Sequence, residues 1–210
     1  MREIRIGISM RETDALSYNE KRDSIARDWY VYLNKIMPNA NWVLLPNISN
    51  DINNYLEFWK LNAFILTGGE DLDTSLDRDI TEKLVFEYSQ LHSFPILGIC
   101  RGLQAIYKWS GGGVVENNND LIFKKHHEST RHKVVLNNKI LEVNSYHSNS
   151  LNESSKPDNL KIIGRCKKDL TIEAIKGDDI LGLMWHPERE KIVSNYEKIM
   201  IKKLFKYEEI

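Results

Sequence analysis

Residues 4–8 run apolar, as a buried first strand does. Over 18–37 apolar side chains return at helical spacing, at Ile25, Trp29, Tyr32, Leu33 and Ile36, and Pro38 ends the pattern. Residues 41–45 read as a second strand closed by Pro46. Residues 51–60 read as a short helix capped by Asp51, with Ile52, Tyr55, Leu56 and Trp59 along one side. The apolar run 63–66 is a third strand, broken sharply by Thr67-Gly68-Gly69. A helix is predicted over 77–92, a fourth strand over 94–99, and a helix over 101–109 that stops at Gly111-Gly112-Gly113. Strand and helix alternating in this way predict a parallel sheet with helices on both faces. Beyond Gly113 the pattern changes to short strands between polar turns, over 133–136, 160–166, 171–175 and 180–185, followed by an amphipathic helix over 192–205. With no repeat, long linker or low-complexity tract, 1–210 reads as one α/β domain: an open, mostly parallel sheet flanked by helices, with a small antiparallel addition. Trp29, Tyr32 and Trp59 suit either a helix-borne interaction surface or the core, and aromatic residues at helical spacing are more often core.

Composition narrows the function. At 210 residues the chain is long enough to bury a core, and 41% hydrophobic with 28% charged residues argues against a disordered chain. Lys+Arg (29) nearly balances Asp+Glu (30), which removes the electrostatic reason to expect a nucleic acid or an anionic membrane as partner. No apolar run reaches the length of a membrane span, and the first residues lack the apolar stretch of a secretory signal. Two cysteines, Cys100 and Cys166, do not make a disulfide framework, so a reducing cytoplasm is the expected compartment. Cys166 has no motif around it and is expected to pack in the core.

Three segments carry candidate chemistry. Gly98-Ile99-Cys100-Arg101-Gly102 lies at a strand-to-helix junction and has the form of a nucleophile elbow with Cys in place of Ser. The helix starting at Arg101 directs its free N–H groups and positive end at the sulfur, favouring thiolate. By itself the motif suits a buried small hydrophobe equally well. Trp185-His186-Pro187-Glu188 follows an apolar run, so His186 stands at a strand end with Glu188 two residues on, which is the arrangement of a base and the group that orients it. An isolated His-x-Glu is usually only surface; downstream of a cysteine elbow the catalytic reading prevails. Leu66-Thr67-Gly68-Gly69-Glu70 ends a strand in two glycines whose N–H groups suit an oxyanion, although a plain turn explains this segment alone as well. It is not a P-loop, because no Gly-Lys-Ser/Thr follows.

Taken in order, Gly98–Gln104, Asn144-Ser145-Tyr146-His147 and Trp185–Glu188 resemble class I glutamine amidotransferases over essentially the whole chain. The segment Thr67–Asp71 resembles the branch of γ-glutamyl hydrolases that includes γ-glutamyl-γ-aminobutyrate hydrolase. The resemblance implies a flavodoxin-like fold, Cys100 as nucleophile, His186 as base, Glu188 as its orienter, and Gly69 with Arg101 as oxyanion hole. It also implies that Gln104 and the Ser145-Tyr146 backbone grip the glutamyl group beside Gly68 and Glu70, that His147 is a second histidine near the site, and that no cofactor is required. Met184 and Asn149 depart from the glutamines the family often carries there, which bears on the substrate more than on the reaction.

Between Lys124 and Lys133 lie seven basic or imidazole side chains. Three readings are open. One is a solvated loop. Another is an anion pocket in which Arg131 or Lys125, with Arg11 and Arg189, would hold a phosphorylated leaving group. The last is a metal site of His126, His127 and His132, disfavoured because adjacent histidines point apart and no carboxylate or thiol at suitable spacing completes a set. The Met184–Arg189 ending and this basic loop look most like bacterial γ-glutamyl-CDP-amidate hydrolases. That resemblance implies cleavage of a CDP-linked glutamine to glutamate and cytidine diphosphoramidate, used in capsule decoration. Such an enzyme is a stand-alone hydrolase of a small molecule. The alternatives are a glutaminase subunit supplying ammonia to a separate synthase, and a non-catalytic ligand-binding or scaffold protein.

Overall fold

The computed structural model describes residues 3–117 and 120–208. The strands are β1 (Arg5–Ser9), β2 (Arg11–Asp14), β3 (Lys21–Ser24), β4 (Asn41–Leu45), β5 (Ala63–Leu66), β6 (Ile96–Ile99), β7 (Gly113–Glu116), β8 (Thr130–Leu136), β9 (Lys139–Ser145), β10 (Asn149–Asn152), β11 (Lys161–Cys166), β12 (Ile172–Lys176) and β13 (Ile180–Leu183). The helices are α1 (Asp28–Ile36), α2 (Ile52–Phe58), α3 (Leu76–His92), α4 (Arg101–Trp109), α5 (Leu121–His127) and α6 (Asn195–Leu204).

One sheet of nine strands runs β4-β1-β5-β6-β13-β12-β11-β8-β9. Its first five strands are mutually parallel; from β13 onward every pairing is antiparallel. The expected open, mostly parallel sheet is therefore present, and the antiparallel addition continues it edge to edge. Strand alternation divides the core. Ile65, Leu97 and Ile99 pack on one side with Trp29, Leu33 and Ile36 of α1 and Ile201 of α6. Phe64, Leu66 and Ile96 pack on the other with Leu56 of α2, Val85 of α3 and Leu103 and Ile106 of α4.

Three departures from the sequence reading have local causes. Residues 18–27 are not helical. Polar residues fill 18–24 and leave no apolar face, and Lys21 instead reaches Glu12 and Asp14, each at 2.9 Å, across the β2–β3 hairpin. The basic stretch is not a loop: Asp120 caps α5 by accepting from the N–H groups of Ile122 and Phe123, and β8 starts at Thr130. Strand β9 follows β8 through Asn137-Asn138, both at positive φ, which asparagine tolerates in a two-residue hairpin turn. Trp29 and Tyr32 are core, as expected, whereas Trp59 is exposed to 43%.

Candidate active site

Strands β5, β6 and β13 lie side by side and end at one sheet edge. There they release the Thr67–Gly69 loop, Cys100 and His186. Cys100 occupies φ 52°, ψ −106°, a region costly to any residue with a Cβ. Two close approaches hold the bend. A Cβ on Gly102 would meet the Leu66 carbonyl oxygen at 2.1 Å, and one on Gly98 would lie 2.6 Å from the Gly102 backbone, so neither position admits a side chain. The Cys100 N–H donates to the Leu183 carbonyl (2.8 Å), fixing the bend to β13.

His186 is held from both sides by one side chain. Asn144 Oδ1 accepts from its N–H (2.9 Å), and Asn144 Nδ2 donates to its carbonyl (2.8 Å). Nδ1 of His186 lies 2.7 Å from Glu188 Oε1, and the imidazole stands near enough to the Cys100 thiol for each to shift the other's charge. Cysteine, histidine and glutamate thus form one buried chain, contributed by residues 86 positions apart in sequence (186 − 100). Gly68 stands against it: a Cβ there would lie 2.5 Å from His186 Cε1 and 3.5 Å from Cys100 Cβ.

The charges are mutually arranged. Burial raises the Cys100 pKa, but the neighbouring His186 and then His147, with the Arg101 N–H, outweigh it and the thiol falls below its usual value. Burial lowers the His186 pKa, yet Cys100 and Glu188 push it up to about 9. Each shift favours the charged form of its group, so the two ionised forms support one another.

Beneath the glycine loop lies an ion network. Arg78 Nη2 donates to the carbonyls of Thr67 (2.9 Å) and Gly68 (3.3 Å). Because the Gly68 carbonyl faces the guanidinium, the Gly69 N–H of the same trans peptide points the opposite way. Arg78 also pairs with Glu82 (2.9 Å) and Glu70 (2.8 Å), while the buried Arg101 side chain pairs with Glu82 and Asp79. Glu70 is thereby engaged in holding the loop.

The remaining candidates divide. Arg11 and Arg189 line a small cleft with Gly68, His186 and Glu188. Tyr146, half exposed, sets its ring edge-on to His186 with centroids 5.7 Å apart, and the Arg189 guanidinium stacks on that ring at 4.6 Å. Gln104 is buried on α4 with Nε2 3.7 Å from Met184 Sδ. The Ser145 hydroxyl donates to the His127 carbonyl (2.6 Å), and Ser145 ends β9 opposite Thr130 of β8. Arg131 is not a free anion ligand: it pairs with Glu190 (2.9 Å) and Glu142 (3.4 Å), and Glu190 in turn accepts from Asn144. Sequence reasoning did not single out Asn144, Arg78 or Glu82. Asn144 stood within a quoted motif, but nothing in the sequence ties it to His186.

Comparison with known proteins fits this geometry. A profile of glutamine amidotransferase class-I matches residues 32–205. The chain belongs to the class I glutamine amidotransferases. It is 32% identical over 203 residues to the γ-glutamyl-CDP-amidate hydrolase of Campylobacter jejuni subsp. jejuni serotype O:2, covering 91% of this chain and 94% of that protein. It is 27% identical over 146 residues to a glutamine-hydrolyzing GMP synthase subunit of Pyrococcus abyssi, covering 66% and 75% of the two. The solved structure of a glutamine amidotransferase from Thermotoga maritima superposes with a TM-score of 0.62 at 16% identity, covering 98% of this chain and 84% of that one, a likeness of fold. Among the described residues, no helix of this amidotransferase is long and apolar enough to cross a membrane.

Proposed function

We propose that the protein is a cysteine-dependent γ-glutamyl hydrolase. The observation that carries this reading is the buried Cys100–His186–Glu188 chain at the parallel sheet edge. The Cys100 thiolate attacks the γ-carbonyl of a glutamyl substrate. Negative charge gathers on the carbonyl oxygen, where the Gly69 and Arg101 N–H groups are the available donors; one such donor is typically worth about 3–4 kcal/mol. His186 imidazolium gives its proton to the leaving nitrogen as the C–N bond breaks, leaving a glutamyl thioester. Water then attacks the thioester, His186 takes its proton, and glutamate departs with the thiolate restored. Glu188 keeps the imidazole oriented throughout.

The leaving group proposed is a nitrogen bonded to a nucleoside diphosphate, with glutamate and cytidine diphosphoramidate as products. Identity to the Campylobacter hydrolase over nearly both full lengths supports this, as do Arg11 and Arg189 on the cleft beside His186. Glutamate release should be far faster from CDP-linked glutamine than from glutamine or γ-glutamyl-aminobutyrate, and Cys100→Ala should abolish it. Equal rates on all three substrates would exclude the nucleotide assignment, and turnover by the alanine variant would exclude the mechanism. The likeness to a GMP synthase subunit favours a second reading, ammonia supply to a separate synthase. That reading requires slow glutamine hydrolysis alone and acceleration by the synthase.

A further inference from the structure

Behind the cleft, α5, β8, the β9–β10 bend and β12 bring His127, His132, His147 and Glu173 into one buried cluster that the hydrolytic chain does not use. Glu173 is fully buried, and so is His127; His132 and His147 are 5% and 3% exposed.

The hydrogen bonds around this cluster fix where the imidazole lone pairs point. His147 Nδ1 lies 2.9 Å from the Asn149 carbonyl oxygen, which only accepts, so Nδ1 carries the hydrogen and Nε2 faces inward. His127 Nε2 lies 2.7 Å from the Asp169 carboxylate, so its hydrogen is there and Nδ1 faces inward bare. These two inward nitrogens are 3.2 Å apart. Neutral imidazoles would oppose lone pair to lone pair, so the contact holds a shared cation, either a proton on His147 Nε2 or a metal ion. Glu173 Oε1 completes the triangle, 3.6 Å from His127 Nδ1 and 3.5 Å from His147 Nε2. Its other oxygen lies 3.4 Å from His132 Nε2 but misaligned for a hydrogen bond, and neither that oxygen nor either His132 nitrogen has a hydrogen-bond partner among the described residues. Zinc bonds of about 2.0–2.1 Å in a tetrahedron give donor separations of about 3.3–3.4 Å; the three contacts among His127 Nδ1, His147 Nε2 and Glu173 Oε1 lie at 3.2–3.6 Å, while His132 joins through the other carboxylate oxygen and, with His127 and Glu173, offers ligand atoms all within 4.8 Å of one another. The outer contacts to Asp169 and Asn149 are the acceptors that orient metal-bound histidines elsewhere.

We propose that His127, His132, His147 and Glu173 form a structural site for a divalent transition metal of the zinc class. His126 belongs to a separate, partly exposed grouping with Cys166 and Asp169. Of the adjacent histidines only His127 enters the inner set, although the two ring centroids lie 5.1 Å apart, and the carboxylate that completes the set comes from β12, 46 residues beyond His127 (173 − 127). The metal would pin α5 and the antiparallel extension together and hold His147 in place near Cys100. The proposal stands independently of the substrate assignment.

Tag-free wild-type protein purified without chelator should contain about one zinc per chain by elemental analysis, as a closed four-ligand site requires. After chelation, cobalt(II) should restore visible absorption of a tetrahedral nitrogen–oxygen site without an intense near-ultraviolet thiolate band. His132→Ala and Glu173→Gln should each lose the stoichiometric metal. Asp169→Asn, which touches the metal only through His127, should weaken affinity about 10–100-fold, and Cys166→Ser should leave content and spectrum unchanged. Wild-type protein that contains no metal and gives no cobalt spectrum would overturn the proposal, leaving a proton as the shared cation. Loss of metal in Cys166→Ser alone would overturn it by assigning the ion to the outer grouping.

Discussion

At the scale of single residues, Cys100 sits at a positive φ that its side chain disfavours, and neighbouring positions make room by having no side chain at all. Gly68 gives the most direct test. In Gly68→Ala the new methyl would press into His186 Cε1, 2.5 Å from the built Cβ, and must displace the imidazole from the sulfur. A displacement on the order of 1 Å costs roughly 10²-fold, so kcat should fall by about that factor while the melting temperature stays near wild type. A variant with wild-type kcat would show that His186 does not need that position. The pH dependence follows from the two shifted groups. Cys100 is shifted below its usual pKa, toward thiolate, and His186, raised to about 9, remains imidazolium at neutral pH. The pairing is therefore lost as pH rises through about 9, where His186 gives up its proton. kcat/KM should fall above that value, and alkylation of Cys100 by iodoacetamide should persist below the pH at which an ordinary thiol stops reacting.

At the scale of elements, the glycine loop stands on α3 rather than on its own hydrogen bonds. Arg78 on α3 holds the Thr67 and Gly68 carbonyls, and Glu82, one turn further, links it to Arg101 at the start of α4. Glu82 is fully buried, and its carboxyl is kept ionised against the burial that opposes it by Arg101 and Arg78. Glu82→Ala would remove the fully buried carboxylate that two buried guanidinium groups share, leaving Arg78 with Glu70 and Arg101 with Asp79. Loss of one partner from a buried pair typically costs about 3–5 kcal/mol, which denaturant unfolding would register; a loss below about 1 kcal/mol, the worth of an exposed pair, would mean that solvent reaches the network. The same scale explains the ends of the chain of elements. Ser194 and Glu197 cap α6 reciprocally, and Glu197 also accepts from the buried Trp185 indole (2.6 Å), one residue before His186. The last helix is thus anchored to the strand end that presents His186.

At the scale of the whole molecule, nine strands form one sheet in which β13 joins the parallel half to the antiparallel half. His186 leaves from the end of this shared strand, and Asn144, from β9 at the far edge of the extension, reaches back to clamp it. This coupling predicts one cooperative transition, with far-ultraviolet circular dichroism and tryptophan fluorescence melting together; two separated transitions would show the halves to be independent. The strand-and-helix alternation through Trp109, the elbow at Cys100 and the His186–Glu188 pair were legible in the sequence, because strand periodicity, glycine punctuation and short-range spacing are local properties. The β2–β3 hairpin, α5 and β9 were not: polar strands carry no apolar alternation, and the Asn137-Asn138 turn lacks the glycine that most often marks such a hairpin. The sequence alone determined the parallel core and which residues are proposed to bear the hydrolytic chemistry, since each motif spans only a few residues. The tertiary structure decided that Asn144 clamps His186, that Arg131 is spent on Glu190, and that three histidines from α5, β8 and the bend after β9 meet Glu173, because those neighbours are brought together only by pairing strands far apart in the chain.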